Sequence, residues 1–156
     1  MKLCMDIEGI IVQLEIAGYS PDYDPINEWW CKTSFSFTSE PWLNYEKHDD
    51  ELFLPSEVEE LSVLLNKLLN GEIKEELSFE CAEPDFTFVM HPEKGAIQTD
   101  WQVSFWHDGL TANYLSVTLD ETETGYLRDY IDLVCGKIAK NDDRIQQMIK
   151  KGVLKV

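Results

Sequence analysis

Positive charge is what this sequence has least of. It carries 13 Lys and Arg against 30 Asp and Glu, a formal charge of −17. Such a chain repels nucleic acid and anionic membranes, so direct binding to either is excluded as its role. Long hydrophobic runs are missing as well. Stretches such as Gly9–Val12 are far too short to span a bilayer, and no basic-then-apolar leader opens the chain, so neither a membrane segment nor a signal peptide is expected and the location reads as cytoplasmic. No two cysteines lie close together. Cys4, Cys31, Cys81 and Cys135 form no C-x-x-C pair, which argues against zinc and for free thiols. The chain also has no G-x-S-x-G, P-loop, G-x-G-x-x-G or H-E-x-x-H pattern. Its carboxylate clusters (Asp49-Asp50-Glu51, Glu57/Glu59/Glu60, Glu72/Glu75/Glu76 and Glu83/Asp85) lack calcium-loop spacing. No metal, no cofactor and no enzymatic activity are therefore expected. Among His48, His91 and His107, only His107-Asp108 has the form of a general base with a carboxylate orienter, and a hydrolase built on it requires a cleft with a nucleophile in reach.

What is present is enough for a folded body. Apolar residues make up 44% and aromatics 12%, which excludes disorder, and 156 residues suit one domain spanning 1–156 with no need of disulfides. The charge is uneven. Residues 136–156 hold six bases and two acids, a charge of +4, so the preceding 135 residues, with seven bases and 28 acids, stand at −21. A body of that charge attracts basic partners, although acidity also serves solubility alone.

Alternating residues predict strands at Lys2–Ile7 and Ile10–Ala17, with Gly9 at the turn between them. Gly18–Asn27 reads as a loop. In Glu28–Thr38, Trp29, Cys31, Thr33, Phe35 and Phe37 point to the core and Trp30 to the polar face. Trp42–Tyr45 reads as a short strand and Glu46–Glu51 as a solvated acidic loop. Further strands are predicted at 77–81 and 86–91. Residues 97–119 form a hairpin around a His107–Asn113 loop, with Phe105 opposite Leu115, Val103 opposite Val117, Trp101 opposite Leu119 and Trp106 opposite Tyr114.

In the first helix Pro55 suits the first turn and Ser56 with Glu59 fits a capping box, and the apolar stripe runs along Val58, Leu61, Leu64, Leu65, Leu68 and Leu69 to Asn70-Gly71. Asp120 with Glu123 caps a second helix whose apolar face is Leu127, Tyr130, Ile131, Val134 and Ile138, and a short helix lies near Asp143–Lys151. The expected class is α+β: a strongly twisted antiparallel sheet of about seven to nine strands, two main helices on one face and a short C-terminal helix.

Three segments carry a family resemblance: "FSFTSEPWLNYE" before the Leu-rich helix, "LSFECAEPDFTFVM" after it, and "DWQVSFWHDGLTANYLSVTLDETETGYLRDYIDLVCGKI". Together they resemble the WapI-type immunity proteins, which protect a bacterium from its own contact-dependent WapA-type toxin. The F-x-F-T-D-P-like element of that family reads here as Phe35-Ser36-Phe37-Thr38-Ser39-Glu40-Pro41, with an extra residue before the proline. The L-x-F-x-E-P-like element reads as Leu77–Phe79 with Glu83-Pro84. The resemblance implies inhibition by binding a cognate toxin, with no catalytic residue to carry over. A nuclease toxin has a basic substrate groove that an acidic inhibitor complements. The candidate contacts are Asp49, Asp50, Glu51, Glu57, Glu60 and Asp108, with the aromatics Trp30, Trp106 and Tyr114. The alternative is a non-catalytic small-ligand or regulatory module with an aromatic pocket beside Trp106. The oligomeric state stays open.

Overall fold

The computed structural model describes residues 1–156. It opens with β1 (Lys2–Ile7) and β2 (Ile10–Ala17), at the bounds the alternation predicts. Their two-residue turn places Glu8 at φ 50° and Gly9 at φ 91°, the doubly positive geometry that matches the twist of a hairpin. The Gly9 N–H donates to the Asp6 carboxylate at 2.8 Å. Val12, Leu14 and Ile16 are buried on one face of β2.

In β3 (Cys31–Ser39) the predicted core face holds: Cys31, Thr33, Phe35 and Phe37 are buried. Trp29 does not follow it. The strand begins two residues later, and Trp29 is 78% exposed while Trp30 is half-buried. Period-2 reasoning fails there because it was extended beyond the end of the ladder.

The largest departure is β4 (Leu43–Phe53), one strand of 11 residues where a short strand and an acidic loop were expected. It is a sheet edge, with Glu46 and Asp49 exposed and Asp50 and Glu51 half-buried, and there charge costs little and discourages pairing with another chain. Register shifts against β3 accommodate Asp49, whose φ is 51° and whose N–H donates to the Ser34 hydroxyl at 3.0 Å.

Helix α1 (Pro55–Leu69) starts two residues earlier than a Ser56 cap requires, with Leu54 at the cap position. Pro55 occupies its first position, where the fixed φ suits a helix and the missing N–H is not needed. Ser56 therefore lies inside the first turn, and the Leu54 N–H donates to Glu57 Oε2 at 2.9 Å. Glu28, from the loop before β3, accepts from the Ser56 N–H and the Ser56 hydroxyl, each at 2.8 Å. At the other end the Gly71 and Glu72 N–H groups return to the Leu68 and Lys67 carbonyls, the paired closure that a left-handed Gly71 permits. Helix α2 (Glu121–Val134) has the predicted reciprocal cap. The Glu123 N–H donates to Asp120 at 2.8 Å and the Asp120 N–H to Glu123 at 2.9 Å.

Between the helices lie β5 (Leu77–Glu80), β6 (Phe86–His91), β7 (Gln98–Trp106) and β8 (Leu110–Leu119). The β7–β8 pair is antiparallel as predicted, with the register two residues tighter: Trp101 faces Val117, Val103 faces Leu115 and Ser104 faces Tyr114. A slip of two preserves which side chains share a face, so the hydrophobic pattern does not distinguish the two registers. The tighter one follows from β8 starting at Leu110, opposite Trp106, with a bulge between Ser104 and Trp106. The chain ends in α3 (Asp143–Lys150) and β9 (Leu154–Lys155), which pairs with β1.

The fold is α+β with nine antiparallel strands, divided between two sheets ordered β4-β3-β2-β1-β9 and β5-β6-β7-β8. The division falls where α1 and its connection to β5 interrupt the run of strands. The sheets meet through aromatic rings. Phe37 stands edge-on to Trp101 at 5.3 Å, Phe35 to Phe86 at 4.8 Å, and Tyr45 to Phe105 at 5.0 Å. Helix α2 packs on β1, β7 and β8, bridging both sheets, and carries α1 beside it. Between the two helices Asp132 accepts from Ser62 and Asn66, so this buried carboxylate is satisfied.

Trp101 is fully buried and touches Phe37, Phe86 and Phe88. Urea denaturation of Trp101→Ala should therefore show a loss of about 3–5 kcal/mol. Trp42→Ala, at a residue 66% exposed, should stay within about 0.5 kcal/mol. The thiols provide a second check. Cys31 and Cys81 are buried, and burial pushes the Cys31 and Cys135 thiols up to about 11. A thiol reagent near neutral pH should react with the native chain at markedly fewer than its four cysteines, and with all four in denaturant.

Candidate partner-binding surface

A shallow cleft of about 280 Å³ opens at the rim of the junction between the sheets, lined by Lys47, Asp50, Glu51, Leu52, Glu83, Asp85 and Trp106. Three elements build it. The edge strand β4 carries Lys47 to Leu52. The turn between β5 and β6 carries Glu83 and Asp85, and the end of β7 supplies Trp106. The bulge before Trp106 re-aims its side chain at the rim.

Lys47 organises the cleft. Its Nζ lies 2.6 Å from Asp85 Oδ1, 3.3 Å from Asp50 and 5.1 Å above the Trp106 ring. Asp85 is only 2% exposed, and its backbone carbonyl accepts from the Ser104 N–H at 2.9 Å. The Lys47–Asp85 pair therefore fastens the edge of one sheet to a turn of the other. Burial works against the Lys47 charge, but the hydrogen bond and attraction of Asp85, with those of Asp50, outweigh it and raise its pKa. Glu51 pairs with Lys32 at 3.0 Å.

Of the sequence-predicted contacts, Asp50, Glu51 and Trp106 come together here, and Asp49 neighbours them on β4. Asp108, at φ 53°, occupies the β7–β8 turn two residues beyond Trp106. Tyr114 is 57% exposed on β8, opposite Ser104 rather than opposite Trp106. Trp106 instead faces Leu110, which is 50% exposed. Glu57 is already engaged. Its carboxylate accepts from the Leu54 and Ala82 N–H groups, and burial pushes it up while those donors hold it partly back. Glu60, one turn along α1, is exposed. Trp30 lies apart from the cleft, just ahead of the Cys31–Phe53 pair at the end of the sheet.

Sequence reasoning missed Lys47, because the segment holding it read as a loop. It saw Glu83 and Asp85 only as one of several carboxylate clusters without calcium-loop spacing. The signal available was the alternation of Leu43, Tyr45 and Lys47 with Asn44, Glu46 and His48, masked by charge.

Two of the rival readings meet their geometric tests here. His107 is 89% exposed and Asp108 98%, 3.9 Å apart at a hairpin tip, so the cleft and nucleophile that a His107 hydrolase requires are not around it. Five of the seven residues lining the cleft beside Trp106 are charged, unlike the deep apolar pocket of a small-ligand module. No helix is long and apolar enough to cross a membrane.

The comparison with protein families decides the class. The model of the immunity protein WapI-like family matches residues 2–136. The chain belongs to this family. Neither a curated protein nor a solved structure matches it. The WapI-like region contains both faces of the cleft and ends where the +4 segment begins. That segment spends part of its charge on the acidic body. Arg144 reaches Asp129 at 3.3 Å, Lys137 donates to Ser62 at 2.6 Å, and Lys151 donates to Tyr126 at 2.9 Å.

Removing the Lys47 ammonium leaves Asp85 buried without its cation. Lys47→Met should lose about 3 kcal/mol in denaturant titration, and Lys47→Met with Asp85→Asn should recover part of it. Because the Lys47 pKa is higher in the folded chain than in the unfolded one, its stabilisation is complete below the unfolded value. It is lost as pH rises through the folded value. The stability gap between wild type and Lys47→Met should therefore narrow on the alkaline side, as followed by melting temperature.

Proposed function

We propose that this chain is a cytoplasmic immunity protein, folded as a single domain, that binds and neutralises a cognate secreted toxin of contact-dependent competition. The toxin is a nuclease, and the acidic surface is what meets it. The observation that carries this reading is the family match across residues 2–136.

The charge supports the finer part. A nuclease domain must present a basic groove to hold a phosphate backbone, and a body at −17 overall complements such a groove. The cleft supplies carboxylates at Asp50, Glu51 and Glu83 beside an aromatic face at Trp106. Asp49, Asp108 and Tyr114 extend it as exposed contacts. An inhibitor of this kind acts by occupying the groove, so it needs no chemistry of its own. Long-range attraction raises its association rate, and close contacts set its residence time.

The test uses the C-terminal domain of a large secreted protein, sought in the gene beside this one. Its expression alone should arrest growth with degradation of nucleic acid, and co-expression of this chain should restore growth. The association rate of the purified pair should fall about tenfold or more between about 50 and about 500 mM salt. Growth arrest that this chain does not relieve would sink the immunity reading. Rescue without nucleic-acid damage, or association insensitive to salt, would sink its nuclease and acidic-surface parts.

A further inference from the structure

Residues Gly18–Trp30 form neither strand nor helix, yet this loop is tied down at both ends of its span. The Tyr19 and Tyr23 hydroxyls donate to the two oxygens of Glu59 on α1, the second at 2.9 Å. Burial and the Glu59 carboxylate push Tyr19 up, and the same carboxylate pushes Tyr23 up, so both stay protonated donors through the neutral range. Glu28 grips Ser56 through its N–H and its hydroxyl. Within the loop, Asp24 accepts from the Ile26 N–H at 2.9 Å and from the Asn27 amide at 3.2 Å.

The loop holds two large apolar side chains out in water, Ile26 between these anchors and Trp29 next to the last of them at Glu28. Ile26 is 89% exposed and Trp29 is 78% exposed. Trp106 at the cleft is 37% exposed and already lies beneath Lys47, so Trp29 has far more surface left to bury. A fixed, exposed tryptophan is the side chain that most often dominates a protein interface, and a loop ordered in advance does not lose that freedom on binding. The charge around it selects the occupant. Asp22, Asp24 and Glu28 lie in the loop with no Lys or Arg, and exposed Glu60 follows Glu59 on α1. Two copies of this surface repel each other, whereas an apolar recess rimmed by Lys and Arg fits it.

We infer that the Ile26/Trp29 loop is the principal anchor for the toxin domain, inserting Trp29 into an apolar recess flanked by basic side chains. This rests on the immunity reading and adds a surface separate from the cleft. In it the cleft steers the encounter and the loop holds the complex. The tyrosine–Glu59 clamp is a positioning device, acting through Trp29.

Binding of the neighbouring-gene toxin domain to wild type, Trp29→Ala, Ile26→Ala, Tyr19→Phe/Tyr23→Phe and Trp42→Ala tests this by surface plasmon resonance, with thermal melts as a folding control. Trp29→Ala should raise the dissociation rate about tenfold or more, with the association rate and melting temperature near wild type. Ile26→Ala and the double phenylalanine variant should raise it less, and Trp42→Ala should match wild type. Wild-type binding that Trp29→Ala and Ile26→Ala leave within about twofold overturns this inference and leaves the immunity reading standing. Trp29-dependent self-association in sedimentation without toxin also overturns it, by making the occupant a second copy. Absence of wild-type binding overturns both together.

Discussion

No strand ladder joins the two sheets, so the fold depends on how a handful of aromatic rings meet between them. Phe35, Phe37 and Tyr45 from one sheet lie edge-on or tilted against Phe86, Trp101 and Phe105 from the other. This contact sets the angle and spacing of the sheets. It positions the edge of β4 over the β5–β6 turn, where Lys47 finds Asp85, and α2 then closes the core by reaching both sheets. The cleft exists because two independent ladders end at one rim. A shift at the ring junction changes its shape before it changes either sheet.

The acidic surplus divides by use. Asp120 and Glu123 cap α2, Glu57 and Glu28 serve the start of α1, Glu59 holds two tyrosines, and Asp132 links the helices. These carboxylates hold the chain together, and their charge is partly offset by N–H dipoles and hydroxyl donors. The acids of the β4 edge and the Gly18–Trp30 loop face water in larger part. Net charge alone does not separate the two groups, because the separation depends on which backbone amides come within reach after folding.

The elements of the fold were largely legible. β1 and β2 stand at the predicted bounds because a short hairpin with buried alternation leaves little choice of register. Helix α2 was legible from Asp120 and Glu123, whose cap is local. The errors have physical causes. Glu46–Glu51 looked like a loop because an edge strand can carry charge on its open side. Ser56 looked like a cap, but Glu28, distant in sequence, reached the same amide. Trp29 looked like core because alternation carries no mark of where a ladder stops. Of the candidate site, Asp50, Glu51 and Trp106 were named as separate features, whereas their meeting around Lys47 and Asp85 was not legible at all.

By itself, the sequence determined the quantities that depend on near neighbours: strand faces, helix stripes, local caps, the α+β class, the family and the imbalance of charge. Tertiary structure alone decided where the strands part into two sheets, which carboxylates are occupied and which face outward, and that Trp29 stands in water while Trp101 is sealed from it. The reason is one of range. Periodicity and capping act over a few residues of chain, whereas the ring junction, the Lys47–Asp85 pair and the grip of Glu28 on Ser56 join residues that are neighbours only once the two sheets have closed.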